Sequence, residues 1–326
     1  MKKIGKIIIY IALSLAIVVG ALLSYVKFAL PNVGEAPDLK VELSPQRIER
    51  GKYLAMHVTI CIDCHSTRDW NKFSGPLDPN RIGVGGEKFD EAAGLPGTIY
   101  SANLTPHNLK NWTDGEIFRA ITTGVKKDGS AIFPIMPYDS YGKMDKEDIY
   151  SIIAFIRTLP EKKTSIPERD LDFPLNFIVN TIPQKANLQT LPSPSKELEY
   201  GAYLVNAAAC IHCHTNFIDG KSVEGMEYAG GREFILPGGS VFTANITPDK
   251  ETGIGNWTKQ QFVEKFKLFV DSGHTMRTVS ATEFQTVMPW TMYSGMKVQD
   301  IEAIYSYLRT VKPIKNRVTK FVPAKG

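Results

Sequence analysis

The 326 residues contain four cysteines, in two close pairs, Cys61/Cys64 and Cys210/Cys213, and a histidine follows each pair. Residues 61–65 read Cys-Ile-Asp-Cys-His and residues 210–214 read Cys-Ile-His-Cys-His. Both are C-x-x-C-H, the attachment signature of haem c. The spacing has a mechanical basis. Two thiols on one helical turn face a similar direction and can add to two vinyl groups on one side of a porphyrin, while the adjacent histidine binds iron from the proximal side. The expected cofactor is therefore two covalently bound haems c, attached through Cys61, Cys64, Cys210 and Cys213, with His65 and His214 as proximal iron ligands. Other chemistries fit less well. A disulfide between residues so close closes almost no loop, a four-cysteine zinc site leaves both histidines unexplained, and a thioredoxin-like pair needs an α/β pattern that is missing.

The sixth ligand of each iron should come from the loop before each repeat's final helix. Met136 and Met288 occupy that loop, 71 and 74 residues past His65 and His214, and each precedes a proline. A thioether in the sixth position raises the potential of a histidine-bound haem and closes the iron to oxygen and peroxide. Met144, Met276, Met292 and Met296 are the nearby rivals, each also readable as core filler. His274 is a further candidate, otherwise a loop residue. His57 reads as structural, because Asn206 holds the same place before the second pair, and His212 reads as a surface residue. His107 faces Asp249 at its nearest equivalent, which argues against a shared role. Trp112 and Trp257 read either as propionate donors or as core, and Asn103/Thr105 and Asn245/Thr247 as weaker propionate candidates.

The elements that position these residues occur twice. Gly51-Lys-Tyr-Leu and Gly201-Ala-Tyr-Leu precede the cysteines. Gly85-Gly-Glu-Lys-Phe answers Gly230-Gly-Arg-Glu-Phe, and Ser101-Ala-Asn-Leu-Thr-Pro answers Thr243-Ala-Asn-Ile-Thr-Pro. Asn111-Trp-Thr matches Asn256-Trp-Thr, and Met136-Pro-Tyr matches Met288-Pro-Trp. One unit is used twice. Ser44-Pro45 and Ser195 are expected to cap the helices leading into each motif. Ile149, Ile152, Ile153, Ile156 and Leu159 line one face of a closing helix, as Ile301, Ile304, Tyr305 and Leu308 do in the second half. Between these helices Gly, Pro, Asn and Thr imply mostly turns and loops. The organisation expected is an anchor over 1–30, a stalk over 31–43, units over 44–160 and 196–326, and a Pro-rich linker over 161–195 laid on the surface.

Lys plus Arg is 38 and Asp plus Glu 34, and the excess resides in Lys2, Lys3, Lys6 and Lys27. Nothing suggests a nucleic-acid binder. Ile7 to Val26 carry no charge, enough to span a bilayer core. The lysines ahead of the span place the start of the chain in the cytoplasm and everything after Lys27 outside. A cleaved signal peptide competes, with a shorter apolar region and a small-x-small site that is not evident here.

With these motifs the chain resembles the cytochrome c subunits of membrane-bound bacterial dehydrogenases acting on alcohols, gluconate and nicotinate, over roughly residues 45–160 and 196–312. The resemblance implies a mainly α fold of two tandem class I cytochrome c-like domains behind one N-terminal transmembrane helix. It implies electron transfer rather than catalysis at carbon, in the periplasm at the inner membrane, with a dehydrogenase as donor and quinone or a terminal oxidase as acceptor. Such subunits often carry three haems and this chain has two motifs, so partner and route do not simply carry over. A freestanding tethered carrier and a dihaem peroxidase are the alternatives; the two methionines speak against the second.

Overall fold

The computed structural model describes residues 2–218, 220–270, 276–280 and 282–324; His274 lies outside the described residues. Helix α1 (Lys2–Phe28) is apolar and exposed along its length, with no part of its span buried in the protein. The body is built from α2 (Pro45–Tyr53), α3 (Asp114–Thr123) and α4 (Lys146–Arg157), then α5 (Glu197–Ala207), α6 (Lys259–Lys267) and α7 (Val298–Leu308). Ser44 caps α2, its side chain accepting from Arg47 N with Pro45 in the first turn. Ser195 does not cap α5. The hydroxyl of Ser193 takes the Ser195 N–H and the Ser193 carbonyl takes Lys196 N, so the turn runs on and the helix starts two residues later.

Helix α2 lies across α4, and α5 across α7. A Cβ on Gly51 would fall 1.7 Å from Ser151 O, and one on Gly201 would fall 2.0 Å from Ala303 O. Only glycine permits backbones this close, which accounts for the glycine that opens both repeated Gly-x-Tyr-Leu strings. The isoleucine faces lock the crossings: Ile149, Ile152, Ile153 and Ile156 are buried, as are Ile301, Ile304, Tyr305 and Leu308. The intervening chain is more ordered than its Gly and Pro content suggests. Helices α3 and α6 both begin with a capping box, Thr113 with Glu116 and Thr258 with Gln261, two reciprocal bonds that start a helix directly after the Asn-Trp string.

Each repeat also carries an antiparallel hairpin whose third strand comes from the chain beyond its closing helix. Lys88–Phe89 pairs with Gly97–Tyr100, which pairs with Asp170–Leu171. Glu233–Leu236 pairs with Gly239–Phe242, which pairs with Phe321–Pro323. The stretch after α4 is thus bound to the first repeat as the tail is bound to the second.

The repeats share one continuous core and are tied by crossed bonds. Tyr53 donates to Asp300 Oδ2 at 2.5 Å, and Tyr203 donates to Asp148 Oδ2 at 2.6 Å, each tyrosine reaching the closing helix of the other repeat. Asp148 also receives a bidentate pair from Arg50, both bonds 2.8 Å, and Asp300 receives Tyr200 at 3.0 Å. Burial and the facing carboxylates hold the Tyr53 and Tyr203 phenols well above their ordinary range, so both remain donors.

Candidate functional site

Each cysteine turn is set off from the helix before it by a single residue in the left-handed conformation: Ile60 at φ 46° and Ala209 at φ 51°. Neither is glycine, and a β-branched residue there is strained. The same kink in both repeats turns the short Cys61–Cys64 and Cys210–His214 helices away from α2 and α5. Tyr141 and Tyr293 brace the kinks, their buried hydroxyls donating to Thr59 O and Ala208 O at 2.9 Å.

His65 Nδ1 lies 2.7 Å from Ala102 O, and His214 Nδ1 lies 2.7 Å from Ala244 O. A carbonyl can only accept, so Nδ1 carries the proton and Nε2 keeps its lone pair for a metal. Burial lowers both imidazole pKa values, favouring the neutral ring that coordination requires. The histidine backbones are pinned in turn. Gly85 and Gly230, at φ +68° and +73°, donate N–H to the His65 and His214 carbonyls. A Cβ on either would sit 2.5 Å from the Ala102 or Ala244 carbonyl carbon. The repeated Gly-Gly-x-x-Phe and Ala-Asn-x-Thr-Pro strings carried the signal for this support, but its role is visible only in the fold.

Both turns face one continuous cavity of about 3320 Å³, lined by Cys61, Cys64, His65, Cys210, Cys213 and His214. A pocket for one drug-sized ligand reaches about 1,000 Å³, so the space suits more than one large rigid body. Cys61, Cys64 and Cys210 are half-buried and Cys213 exposed, because they face this cavity although they lie deep in the molecule. Burial, then the Asp63 carboxylate, pushes the Cys64 thiol up to about 12. Cys213 is also raised by burial, while the Arg232 guanidinium pulls the other way. Among the described methionines, Met136 and Met288 line the cavity. Met144, Met276, Met292 and Met296 are instead buried, at 0%, 8%, 3% and 1% exposure. The donor set of two thiols, one histidine with its free nitrogen unprotonated, and one thioether fits a covalently attached haem in each repeat. No three of His, Cys, Asp and Glu converge as a metal cage among the described residues.

The remaining candidates divide. Trp112 and Trp257 both line the cavity, and each closing helix holds its tryptophan loop by an arginine. Arg157 donates to Asp114, Leu109 O and Trp112 O, and Arg309 to Ile254 O and Gly255 O. Asn103 and Asn245 border the cavity, but their amides hold Lys162 O and Ile314 O, and Thr105 and Thr247 bond those asparagines. Their capacity goes into binding the chain beyond each closing helix rather than into a propionate contact. His57 is structural: its Nδ1 meets Met292 O at 2.8 Å, and Asn206 donates to Ser140 O at the equivalent place. His212 is half-buried rather than fully exposed. The crossed packing sets it against the first repeat, with Nε2 3.0 Å from Ser140 Oγ and 3.3 Å from Asp139 Oδ1. His107 lines the cavity without a histidine at the matching place.

The family model described as Cytochrome c matches residues 198–312. Residues 198–312 form a cytochrome c domain. A cytochrome c domain carries haem covalently, and the Cys210–His214 turn lies within the matched residues. The chain is 27% identical over 299 residues to the cytochrome c subunit of the quinone-type alcohol dehydrogenase of Gluconacetobacter polyoxogenes, covering 86% of this chain and 58% of that protein. It is 28% identical over 299 residues to the fructose dehydrogenase cytochrome subunit of Gluconobacter japonicus, covering 86% and 56%. A diheme cytochrome c-type protein of Cereibacter sphaeroides is 29% identical over 268 residues, covering 78% of this chain and 83% of that protein. The chain thus spans a little over half the length of the two dehydrogenase subunits.

Proposed function

We propose that this chain is a membrane-anchored electron-transfer protein with two covalent haems c, the first repeat being a second cytochrome c domain of the class I type. Cys61 and Cys64 attach one haem, with His65 and Met136 as its axial ligands. Cys210 and Cys213 attach the other, with His214 and Met288. The observation that carries this reading is the duplicated donor set. In each repeat the histidine Nδ1 is committed to an equivalent carbonyl, while the cysteine pair and one methionine border the common cavity. Iron held by histidine and methionine passes single electrons between its ferrous and ferric states. The protein's part is to fix the imidazole tautomer, close the sixth position with a thioether, and hold both sites in one core.

Helix α1 anchors the body to the inner membrane with residues beyond Lys27 in the periplasm, supported by its exposed apolar surface and the lysines before it. The partner is a periplasmic dehydrogenase, whose electrons this chain hands to quinone or a terminal oxidase; the named dehydrogenase subunits among its relatives support that role. Capture from native membranes tests it. A co-purifying dehydrogenase that reduces the haems when given its substrate is the expected result. Recovery of the chain alone, or with a terminal oxidase only, would make it a freestanding tethered carrier.

A further inference from the structure

The two sites match in their ligands and differ in their charges. Position 87, two residues past the glycine tied to His65, is glutamate; position 232, two residues past the glycine tied to His214, is arginine. Glu87 belongs to a buried group. Arg68 donates to Asp63 at 2.9 Å and to Glu87 at 2.7 Å, and Trp70 Nε1 also donates to Glu87. The side chains of Arg68, Asp63 and Glu87 are 8%, 3% and 14% exposed. One cation between two carboxylates gives the group a net charge between zero and one negative, since burial pushes the Asp63 carboxyl up while the Arg68 guanidinium pulls it down. At the equivalent places the second repeat has His212 for Asp63 and Phe217 for Arg68. Arg232 lies over the Phe217 ring at 5.2 Å and donates to His212 O. Among the described residues no carboxylate stands within ion-pair distance of it. Arg232 therefore stands at the second site as a cation with no described carboxylate partner.

The wider lining of the cavity follows the same sign. Among the described residues, seven acids and five bases line it from the first repeat and its following segment, against one acid and four bases from the second. Fixed negative charge favours the ferric over the ferrous state, and positive charge disfavours it, an effect that weakly screened, partly buried groups retain. With the same ligand types and the same histidine–carbonyl bond proposed in both repeats, local charge is one lever that separates them.

We propose that the first site has the lower potential and the second the higher, so that electrons enter at Cys61–His65 and leave at Cys210–His214. The inference rests on the reading that both sites hold haem. The iron of the first site is oxidised by one electron as the iron of the second is reduced; no bond or proton moves. The donor is the reduced dehydrogenase and the acceptor the quinone or oxidase already proposed.

The test is a redox titration of the full haem-loaded chain, read at the haem absorption bands. Two one-electron waves are expected. The Cys61→Ala, Cys64→Ala chain should keep only the upper wave; keeping only the lower one overturns the order. Glu87→Gln should raise the lower wave and leave the upper in place, and Arg232→Gln should lower the upper wave and leave the lower in place. Movement of the opposite wave in either variant, or an unchanged separation in both, also overturns it. Covalent haem content, counted first in every variant, confirms that the remaining sites are loaded, and Arg232→Gln alone decides the matter if Glu87→Gln does not load. A wild-type chain with fewer than two covalent haems would overturn the underlying reading instead, a result distinguishable from a reversed order.

Discussion

The crossed tyrosines make the two repeats one body, and removing them should cost a calculable amount. Tyr53→Phe deletes a bond to Asp300 and an acceptor for Lys297 N; Tyr203→Phe deletes the matching bond to Asp148 and an acceptor for Asp145 N. A hydrogen bond to a charged group contributes about 1.5–3 kcal/mol. Each carboxylate keeps a second partner, Tyr200 for Asp300 and Arg50 for Asp148, so neither is orphaned and the lower half of that range applies. The loss is then about 1.5–2 kcal/mol per substitution. The two bonds share no hydrogen-bonding partner, but Arg50 both bonds Asp148 and lies over the Tyr53 ring, so about 3–4 kcal/mol is the upper figure for the double variant. Urea unfolding, followed by far-ultraviolet circular dichroism and by haem absorption, measures this. In the wild type the two probes should report one transition. In the double variant they should separate, because the repeats then unfold with less reference to one another. A double variant within about 0.5 kcal/mol of wild type, the scatter expected of an ordinary surface change, would refute the coupling.

Met288→Ala should lower one midpoint potential and leave the other nearly unchanged; an equal shift of both waves would remove Met288 as a ligand specific to one haem. His57, whose pKa is lowered by burial, takes up a proton less readily in the folded chain than in the unfolded one. Its contribution is complete above the unfolded pKa of about 6.5 and is lost as pH falls through the lower folded value, with a slope of at most about 1.4 kcal/mol per pH unit. His57→Asn, copying Asn206, should flatten that acid-side slope in haem-loaded protein, and an unaltered slope would count against a neutral buried His57. Expressing residues 29–326 behind a cleavable export signal should move the protein from the membrane to the soluble periplasmic fraction; continued sedimentation with membranes would deny α1 the anchoring role.

What could be read in the sequence was whatever local spacing encodes. The C-x-x-C-H turns, the isoleucine faces of α4 and α7, and the Ser44-Pro45 cap depend on neighbours within a few residues, and the structure keeps each of them. The capping boxes at Thr113 and Thr258 were equally local, but the Gly-rich and Pro-rich surroundings suggested loops. Other features depend on residues far apart in the chain. Ala102 O reaches His65 across 37 positions and Tyr53 reaches Asp300 across 247, distances at which no periodicity reports. His212 shows the same limit: its place within a cysteine motif suggested a surface, and the packing of one repeat on the other moved it into a contact. Duplication was the best guide to long-range support: Gly51 and Gly201, like Gly85 and Gly230, repeat at matching places, and in the fold each meets backbone distant in the chain.

The most direct measurement is the mass of the intact, denatured chain after expression in a host that matures cytochromes c, paired with the same measurement on the Cys61→Ala, Cys64→Ala variant. Two covalent haems on the wild-type chain and one on the variant are expected. One haem on both, or haem that leaves the denatured protein, would contradict the assignment of a haem to each C-x-x-C-H turn.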